Sequence, residues 1–174
     1  MDLLEVLQGR HSVRDYTGEP IGEEKLTKIL QAGLLSASGR AIRPWELIVV
    51  RERATLEKLS EGRVGSAKML RSAGAAVVVV ADAARSDTWI EDCSIVLANM
   101  HLMAASLGVG SCWIQGRLRE AQDGRTTEAY VRECLDIPEG FRLEAILSLG
   151  VPKGSGVRTE LSDLHSEKIH YEKF

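Results

Sequence analysis

Five consecutive residues near the amino terminus carry the densest chemistry in this 174-residue chain. The stretch Arg10-His11-Ser12-Val13-Arg14 supplies two guanidinium groups, an imidazole and a hydroxyl. Guanidinium groups bind phosphate through paired hydrogen bonds, and a serine hydroxyl adds a neutral donor. Three or four such bonds, each contributing roughly 1.5–3 kcal/mol, could hold a phosphorylated ligand with about micromolar affinity. The alternative is a solvated basic turn, and these five residues alone favour neither interpretation.

Helices and strands must position this cluster, and the first is a short helix directly before it. Apolar residues recur at helical spacing over residues 3–7, and Gly9 can adopt the left-handed conformation that ends a helix. Further helices are predicted from Pro20 onward, over residues 55–59 and over residues 90–107. Buried strands are predicted over residues 47–50, 75–80, 112–114 and 143–149. Because strands and helices do not alternate strictly along the chain, an α+β fold is predicted.

The helix predicted over residues 90–107 is apolar nearly all the way round. Such a helix must be covered on every side. A second subunit could supply one wall, or the helix could be central to the core of one chain. The tail, residues 169–174, carries aromatic residues and is expected to dock, plausibly on a partner chain.

Composition narrows the possible classes of protein. With 44% hydrophobic and 27% charged residues, the chain is expected to form one domain over residues 1–174. A net charge of −3 disfavours a nucleic-acid partner, and no apolar run reaches the length of a membrane span. The start has no secretory pattern, and the three cysteines have no metal-type spacing. A cytoplasmic protein with free thiols and without a metal site is therefore expected.

Six short motifs follow one another over nearly the whole chain. They are Arg10–Arg14, Ser38–Trp45, Asp92-Cys93-Ser94 with Asn99, Leu107–Ile114, Ile137–Arg142 followed by Ser148–Lys153, and His170–Phe174. No single motif is specific. Together, in this order, they resemble the nitroreductase family of FMN-dependent homodimeric oxidoreductases.

The resemblance implies an α+β fold around a mixed sheet flanked by helices. The long central helix would form the interface of a homodimer, and the C-terminal arm would embrace the partner subunit. One FMN would lie in each of two clefts between the subunits, which agrees with the apolar helix and the tail described above.

The resemblance also implies roles for individual residues at the phosphate end of FMN. Arg10, His11 and Ser12 would hold the phosphate, and Ser38 of the partner subunit would lie near the phosphate and the ribityl chain. Arg14 would reach the ribityl chain or the N1–O2 edge of the flavin. A cation there would stabilise the negative charge of the reduced flavin and so raise its reduction potential.

At the ring end, Ile114, Gln115 and Gly116 would lie beside the flavin. A backbone N–H near Gln115 would bond flavin N5 and orient it. Pro44 would shape the wall under the pyrimidine edge. No side chain is assigned a catalytic role, because the flavin itself performs the chemistry.

Some positions depart from the family pattern or leave alternatives open. Ala41 and Arg43 stand where the family usually has Asn and Gln, and Arg43 could supply a donor and favour an acidic substrate. For the family's late basic residue on the phosphate, Arg158 is the candidate and Lys153 the alternative, and either could be only a surface charge. Ser38 could simply cap a turn. His101 is interpreted as a satisfied core or interface histidine rather than a catalyst.

The activity implied by the resemblance is hydride transfer from NAD(P)H through FMN to a small-molecule acceptor by ping-pong chemistry. A nitroaromatic or a quinone is the expected kind of acceptor. The same fold could instead serve reductive dehalogenation or flavin fragmentation, or form a flavin-binding dimer without physiological turnover. The sequence distinguishes neither NADH from NADPH nor one acceptor from another.

Overall fold

The computed structural model describes residues 2–174, and every helix and strand predicted from the sequence is present. The helices are α1 (Leu3–Gly9), α2 (Glu23–Leu34), α3 (Arg53–Ser60), α4 (Trp89–Ser106) and α5 (Thr127–Cys134). The strands are β1 (Trp45–Val50), β2 (Ala75–Asp82), β3 (Gly110–Gln115) and β4 (Phe141–Gly150). Among the residues described, no helix is both long and apolar enough to cross a bilayer.

The sheet has the strand order β1-β2-β4-β3, with β1 and β3 at its edges. This confirms the α+β class but corrects the expected mixed sheet, because all three strand pairings are antiparallel. Within residues 2–174, parallel pairing is limited to an isolated bridge between Ser12 and Ser111. That bridge attaches the segment after α1 to the open edge of β3.

Helices cover both faces of the sheet, which explains why β2 is apolar without alternation. One core contains side chains from α2 and α4, and the other contains side chains from α3, α5 and residues 68–72. Residues of β2 point alternately into these two cores, so both sets are apolar. In β1 the prediction of a buried strand is wrong. It is an edge strand, and Val49 is 38% exposed.

Two local predictions fail for identifiable reasons. Gly9 is not left-handed; α1 ends because Arg10 turns to an extended conformation (φ −69°, ψ 123°). The helix α5 was not predicted because it is only eight residues long and lies in a polar stretch. Its start is nevertheless encoded locally, since the Thr126 hydroxyl accepts a hydrogen bond from the N–H of Ala129 at 3.1 Å.

In a single chain, part of the outer side of α4 is exposed. The helix packs on α1, α2 and the sheet, whereas Ile95 on its outer side is 40% exposed and Ala98 is also exposed. Leucines of α1 are exposed as well, and so is the whole segment 153–174. The prediction that a second subunit covers this side thus remains a prediction.

Candidate functional site

The basic cluster lies along the beginning of β3, where the chain leaves α1 in an extended conformation. The N–H of Val13 donates to the carbonyl of Ser111 at 2.9 Å, which fixes the segment to the strand. One guanidinium nitrogen of Arg10 lies 3.0 Å from Nε2 of His101 on α4. The position of Arg10 is therefore set by a strand on one side and a helix on the other.

His101 is buried, and both of its ring nitrogens have partners. Nδ1 contacts the hydroxyl of Ser111, and Nε2 contacts Arg10. Burial lowers the pKa of His101 to about 4, and the charges of Arg10 and His11 act in the same direction. The network thus assigns a neutral imidazole that donates from Nδ1 to Ser111 and accepts from Arg10 at Nε2. This agrees with the interpretation of a satisfied core histidine, and it adds a partnership with Arg10 that was not predicted.

The two arginines of the cluster remain available to a ligand. Within residues 2–174, neither Arg10 nor Arg14 forms an ion pair with a carboxylate. Arg14 is exposed, and its guanidinium makes a long bond of 3.4 Å to the carbonyl of Ser12. Burial raises the pKa of the nearby Cys112 thiol, and the charge of Arg14 and a hydrogen bond with Ser12 oppose that rise. This unbalanced positive charge is what a phosphate dianion would neutralise.

Of the two late basic candidates, the structure places Arg158 beside α1. Its guanidinium donates to Oε1 of Gln8 at 2.7 Å, and Gln8 also bonds the backbone of Thr159 in both directions. Lys153 instead forms an ion pair with Asp15 at 3.0 Å. Arg158 is therefore the better placed of the two.

Two adjoining clefts lie against this cluster. One, of about 200 Å³, runs between His11 and the loop 154–156, and the other, of about 310 Å³, includes Gly9 and Arg158. A Cβ atom on Gly156 would lie 1.7 Å from Cε1 of His11, so glycine lets the loop pass directly against the imidazole. The donors and the glycine-lined space together fit a phosphorylated ligand.

Gln115 and Gly116 lie at the opposite end of β3, four and five residues from Ser111 and hence about 14 and 17 Å away along the strand. The N–H of Gly116 donates to the carbonyl of Glu144 at 3.1 Å. Since hydrogen-bonded and non-bonded positions alternate in an antiparallel pair, the N–H of Gln115 points away from β4 to the open edge. That is the direction required of a backbone donor to a ligand at this edge.

The side chain of Gln115 is fixed by a small polar network. Its oxygen accepts from the indole N–H of Trp113 at 2.8 Å, and its amide donates to Oε1 of Glu144 at 3.3 Å. Oε2 of the buried Glu144 has no hydrogen-bond partner among the described residues. Burial raises the pKa of Glu144, while the bond from Gln115 opposes the rise.

The loop 38–44 contains the predicted site residues Ser38, Arg43 and Pro44, and its backbone conformation is unusual. Arg40, Ala41 and Arg43 all have left-handed φ angles, of 52°, 56° and 48°, which non-glycine residues rarely adopt. The hydroxyl of Ser38 accepts from the N–H of Arg43 at 2.9 Å, so it caps this turn within its own chain. The Arg43 side chain is exposed, and Pro44 is buried.

A buried carboxylate on α4 anchors this loop. Asp92 accepts from the N–H of Gly39 at 2.8 Å and from the hydroxyls of Ser86 and Thr88 at 3.1 and 3.3 Å. The nine residues from Asp92 to His101 correspond to about 14 Å along the helix. The structure thus brings Arg10, His11, Ser12, Arg14 and Arg158 to one end of α4, and it leaves Ser38, Arg43 and Pro44 at the other end.

Sequence reasoning missed the supporting roles of Asp92 and His101. The signal for Asp92 was a serine and a threonine at residues 86 and 88, which can bond a carboxylate one helical turn later. For His101 there was no local signal, because Arg10 lies 91 residues away.

Comparisons with known proteins show which family of proteins this chain resembles. A model of the nitroreductase family matches residues 7–62 and 56–151. A protein of Archaeoglobus fulgidus, named "Putative NADH dehydrogenase/NAD(P)H nitroreductase", is 37% identical over 178 residues, which are 99% of each chain. A solved FMN-dependent nitroreductase from Clostridium difficile is 39% identical, with a TM-score of 0.95 over 98% of this chain and 99% of that one. The NADPH-flavin oxidoreductase of Vibrio harveyi is 26% identical over 164 residues, 86% of this chain and 65% of that protein.

The antiparallel sheet, the long helix and the basic edge of β3 define a small α+β protein with a cleft beside a cluster of basic side chains. The family match and the relatives go further. The chain belongs to the nitroreductase family, as the resemblance of its six motifs predicted.

Proposed function

We propose that this chain is a cytoplasmic, homodimeric oxidoreductase that binds FMN and passes reducing equivalents from NAD(P)H to a small organic acceptor such as a nitroaromatic or a quinone. The names of its relatives agree on an enzyme of this kind, with FMN and NAD(P)H as the cofactors. The observation that carries the proposal for this chain is the group of unpaired cations at the beginning of β3. Within residues 2–174 Arg10, Arg14 and Arg158 form no ion pair, and Glu5, which lines the cleft beside Arg158, accepts from the N–H of Asp2 instead.

Bound FMN would supply the redox chemistry by accepting a hydride at N5 and passing electrons on. The protein's part is to bind and to orient. Arg10, His11, Ser12 and Arg158 would hold the phosphate, with Arg10 held in place by the neutral His101. Arg14 would keep a positive charge close to the flavin ring and thereby favour its reduced form.

At the other end of β3, the protein would fix the orientation of the ring. The outward N–H of Gln115 would donate to N5, with Ile114 and Gly116 beside the ring. Because Gln115 is held by Trp113 and Glu144, the donor would need little rearrangement on binding.

The proposal requires two chains. Ser38, which the resemblance places near the phosphate, lies in its own chain about 14 Å along α4 from the phosphate cluster, so it would reach a phosphate only in the site of the partner subunit. Arg43 and Pro44 belong to the same loop and would contribute to that site with it. The exposed outer side of α4 and the exposed segment 153–174 support such an assembly. The acceptor is then bound where both subunits meet.

An absorption spectrum of freshly purified protein tests this function. We expect a yellow protein with a flavin spectrum that NADH or NADPH bleaches and that a nitroaromatic or a quinone restores. A colourless protein that does not bind added FMN would contradict the proposal. A flavin that only dithionite reduces would instead favour a flavin-binding dimer without turnover.

A further inference from the structure

A third cleft, of about 300 Å³, begins where β3 ends and has no role in the proposed function so far. It is bordered by Gly116 on one side and by Trp89, at the start of α4, on the other. Arg117, Arg119 and Arg142 also line it. Because Gly116 follows Gln115 directly, this cleft adjoins the position proposed for the flavin ring.

The cleft has more positive charge than its carboxylates balance. Glu128, the carboxylate that lines the cleft, accepts hydrogen bonds from Arg142 at 2.9 and 3.0 Å and forms an ion pair with Arg132 at 3.5 Å. Neither Arg117 nor Arg119 forms an ion pair anywhere in residues 2–174. The charge of Arg117 acts at a distance on the buried carboxylate of Glu144 and opposes the rise of its pKa that burial causes, whereas Arg119 forms no ion pair in the described part of the chain.

A further arginine, Arg63, lies near Arg119 but does not line the cleft. The loop around Arg63 is held against the loop after β3, since the N–H of Val64 donates to the carbonyl of Glu120 at 2.9 Å. Burial lowers the pKa of Arg63, and the nearby charge of Arg119 lowers it further. Cations this close repel each other unless an anion lies between them.

The backbone holds these arginines in a defined place. The N–H groups of Gly116 and Arg117 both donate to the carbonyl of Glu144, at 3.1 and 2.9 Å. Between the two arginines, Leu118 has a left-handed φ of 56° and is 77% exposed. A left-handed leucine is strained, and such strain persists where surrounding structure imposes it. The turn therefore presents its guanidinium groups from an anchored backbone rather than from a mobile loop.

We propose that Arg117 and Arg119 bind an anionic group of a substrate whose reacting part lies beside Gly116. Phosphate, carboxylate and sulfonate groups all suit paired guanidinium donors. The group could belong to the electron donor, as the 2′-phosphate of NADPH, or to an acidic aromatic acceptor. This inference rests on the proposed function, because it places the anion relative to the proposed flavin ring.

The test compares holoenzyme kinetics for pairs of substrates that differ in one charge. The pairs are NADPH with NADH, and 4-nitrobenzoate with 4-nitrobenzamide. Arg119 is exposed, so Arg119→Gln removes a charge without disturbing a core. We expect the ratio of kcat/KM for the charged over the neutral member to fall about tenfold in one pair, and that pair identifies the source of the anion.

Arg51→Gln is the matched control, because it removes the same charge at the other edge of the sheet, where Arg51 pairs with Glu23 at 2.6 Å. It should leave both ratios unchanged. A binding measurement supports the kinetics: calorimetric affinity for adenosine 2′,5′-bisphosphate, or for 4-nitrobenzoate, should weaken about tenfold in Arg119→Gln alone.

Two kinds of failure are distinguishable. If Arg119→Gln retains FMN and is bleached by NAD(P)H but keeps both ratios and both affinities, the anion site is wrong and the proposed function stands. If the wild-type protein binds no FMN, the proposed function itself is wrong.

Discussion

At the scale of single residues, the orientation of Arg10 in the basic cluster depends on a buried histidine, His101. A guanidinium at the surface has many rotamers, and fixing one of them costs conformational entropy. Here the acceptor Nε2 of His101 restrains Arg10, and the hydroxyl of Ser111 restrains His101. The guanidinium that is proposed to bind the phosphate would thus be oriented before any ligand arrives.

This arrangement predicts that His101 contributes to FMN affinity only through Arg10. His101→Phe keeps an aromatic ring but removes the acceptor, and FMN should bind about tenfold more weakly, since a bond to a charged group is lost. His101→Gln, which retains an acceptor, should bind FMN within about threefold of wild type. Fluorescence titration of FMN measures both affinities.

A double-mutant cycle separates this from a general loss of structure. In an Arg10→Ala background, His101→Phe should weaken FMN binding by less than about twofold, because the side chain to be oriented is gone. Equal losses in the two backgrounds would mean that His101 acts on the fold and not on Arg10.

The same histidine predicts a pH dependence of stability. Its pKa is 6.5 ordinarily and about 4 in the folded protein, so between these values the unfolded chain binds a proton that the folded chain does not. Folding is therefore penalised progressively as the pH falls from about 6.5 to 4, and lowering the pH from 7.5 to 5 should cost about 2 kcal/mol from this group.

Urea unfolding of the wild type and of His101→Gln at pH 7.5 and pH 5 measures this cost. Because glutamine does not titrate, the variant should lose about 2 kcal/mol less than the wild type between these pH values. Losses of the same size in both proteins would refute a buried neutral histidine.

At the scale of elements, the helix α4 holds the loop 38–44 in a conformation that the sequence of the loop does not favour. The left-handed residues of this loop cost roughly 1 kcal/mol or more each. Asp92, in the first turn of α4, offsets this cost by accepting from the backbone of Gly39. The serine and threonine at residues 86 and 88 occupy its other oxygen.

Asp92→Ala should therefore destabilise the protein by about 2–4 kcal/mol and release the loop, since buried donors lose their charged partner. Hydrogen exchange at the amide of Gly39 should become faster by at least about tenfold. Asp87→Ala is the control, because Asp87 pairs with Arg40 of the same loop at 2.6 Å, but in an exposed ion pair worth at most about 1 kcal/mol. If both variants exchange Gly39 at the wild-type rate, Asp92 does not anchor the loop.

Helices and strands could be predicted from the sequence wherever their burial produces a recognisable run or spacing of apolar residues. The run of valines in β2 was recognisable because both faces of that strand are covered and tolerate few polar residues. The helix α4 was recognisable because it is apolar nearly all the way round, although one chain leaves part of its outer side exposed. The edge position of β1 was not predictable, since it depends on which strands pair. Likewise, the motif order located the basic cluster, but Arg10–His101 and Gly39–Asp92 are contacts over 91 and 53 residues that no local pattern encodes.

At the scale of the whole molecule, the two halves of the proposed site lie at different ends of α4. One chain alone leaves an apolar outer side of α4 and an exposed C-terminal segment without cover. Burying them against a second copy would contribute about 25 cal/mol for each Å² of apolar surface removed from water. Dimerisation and flavin binding should therefore be coupled, because the same contact would bring the loop 38–44 to the partner's phosphate cluster.

The coupling predicts that a charge on the outer side of α4 separates the subunits and releases the cofactor together. Ile95→Asp places a carboxylate in the proposed interface, where burying it unpaired costs several kcal/mol. Val49→Asp is a matched control, because Val49 is 38% exposed and Ile95 is 40% exposed, but Val49 lies on the β1 edge. Sedimentation velocity should show a monomer without flavin absorbance for Ile95→Asp and a yellow dimer for Val49→Asp. A monomer that still binds FMN tightly would show instead that one chain forms the whole site, and the assignment of the loop to the partner would then be wrong.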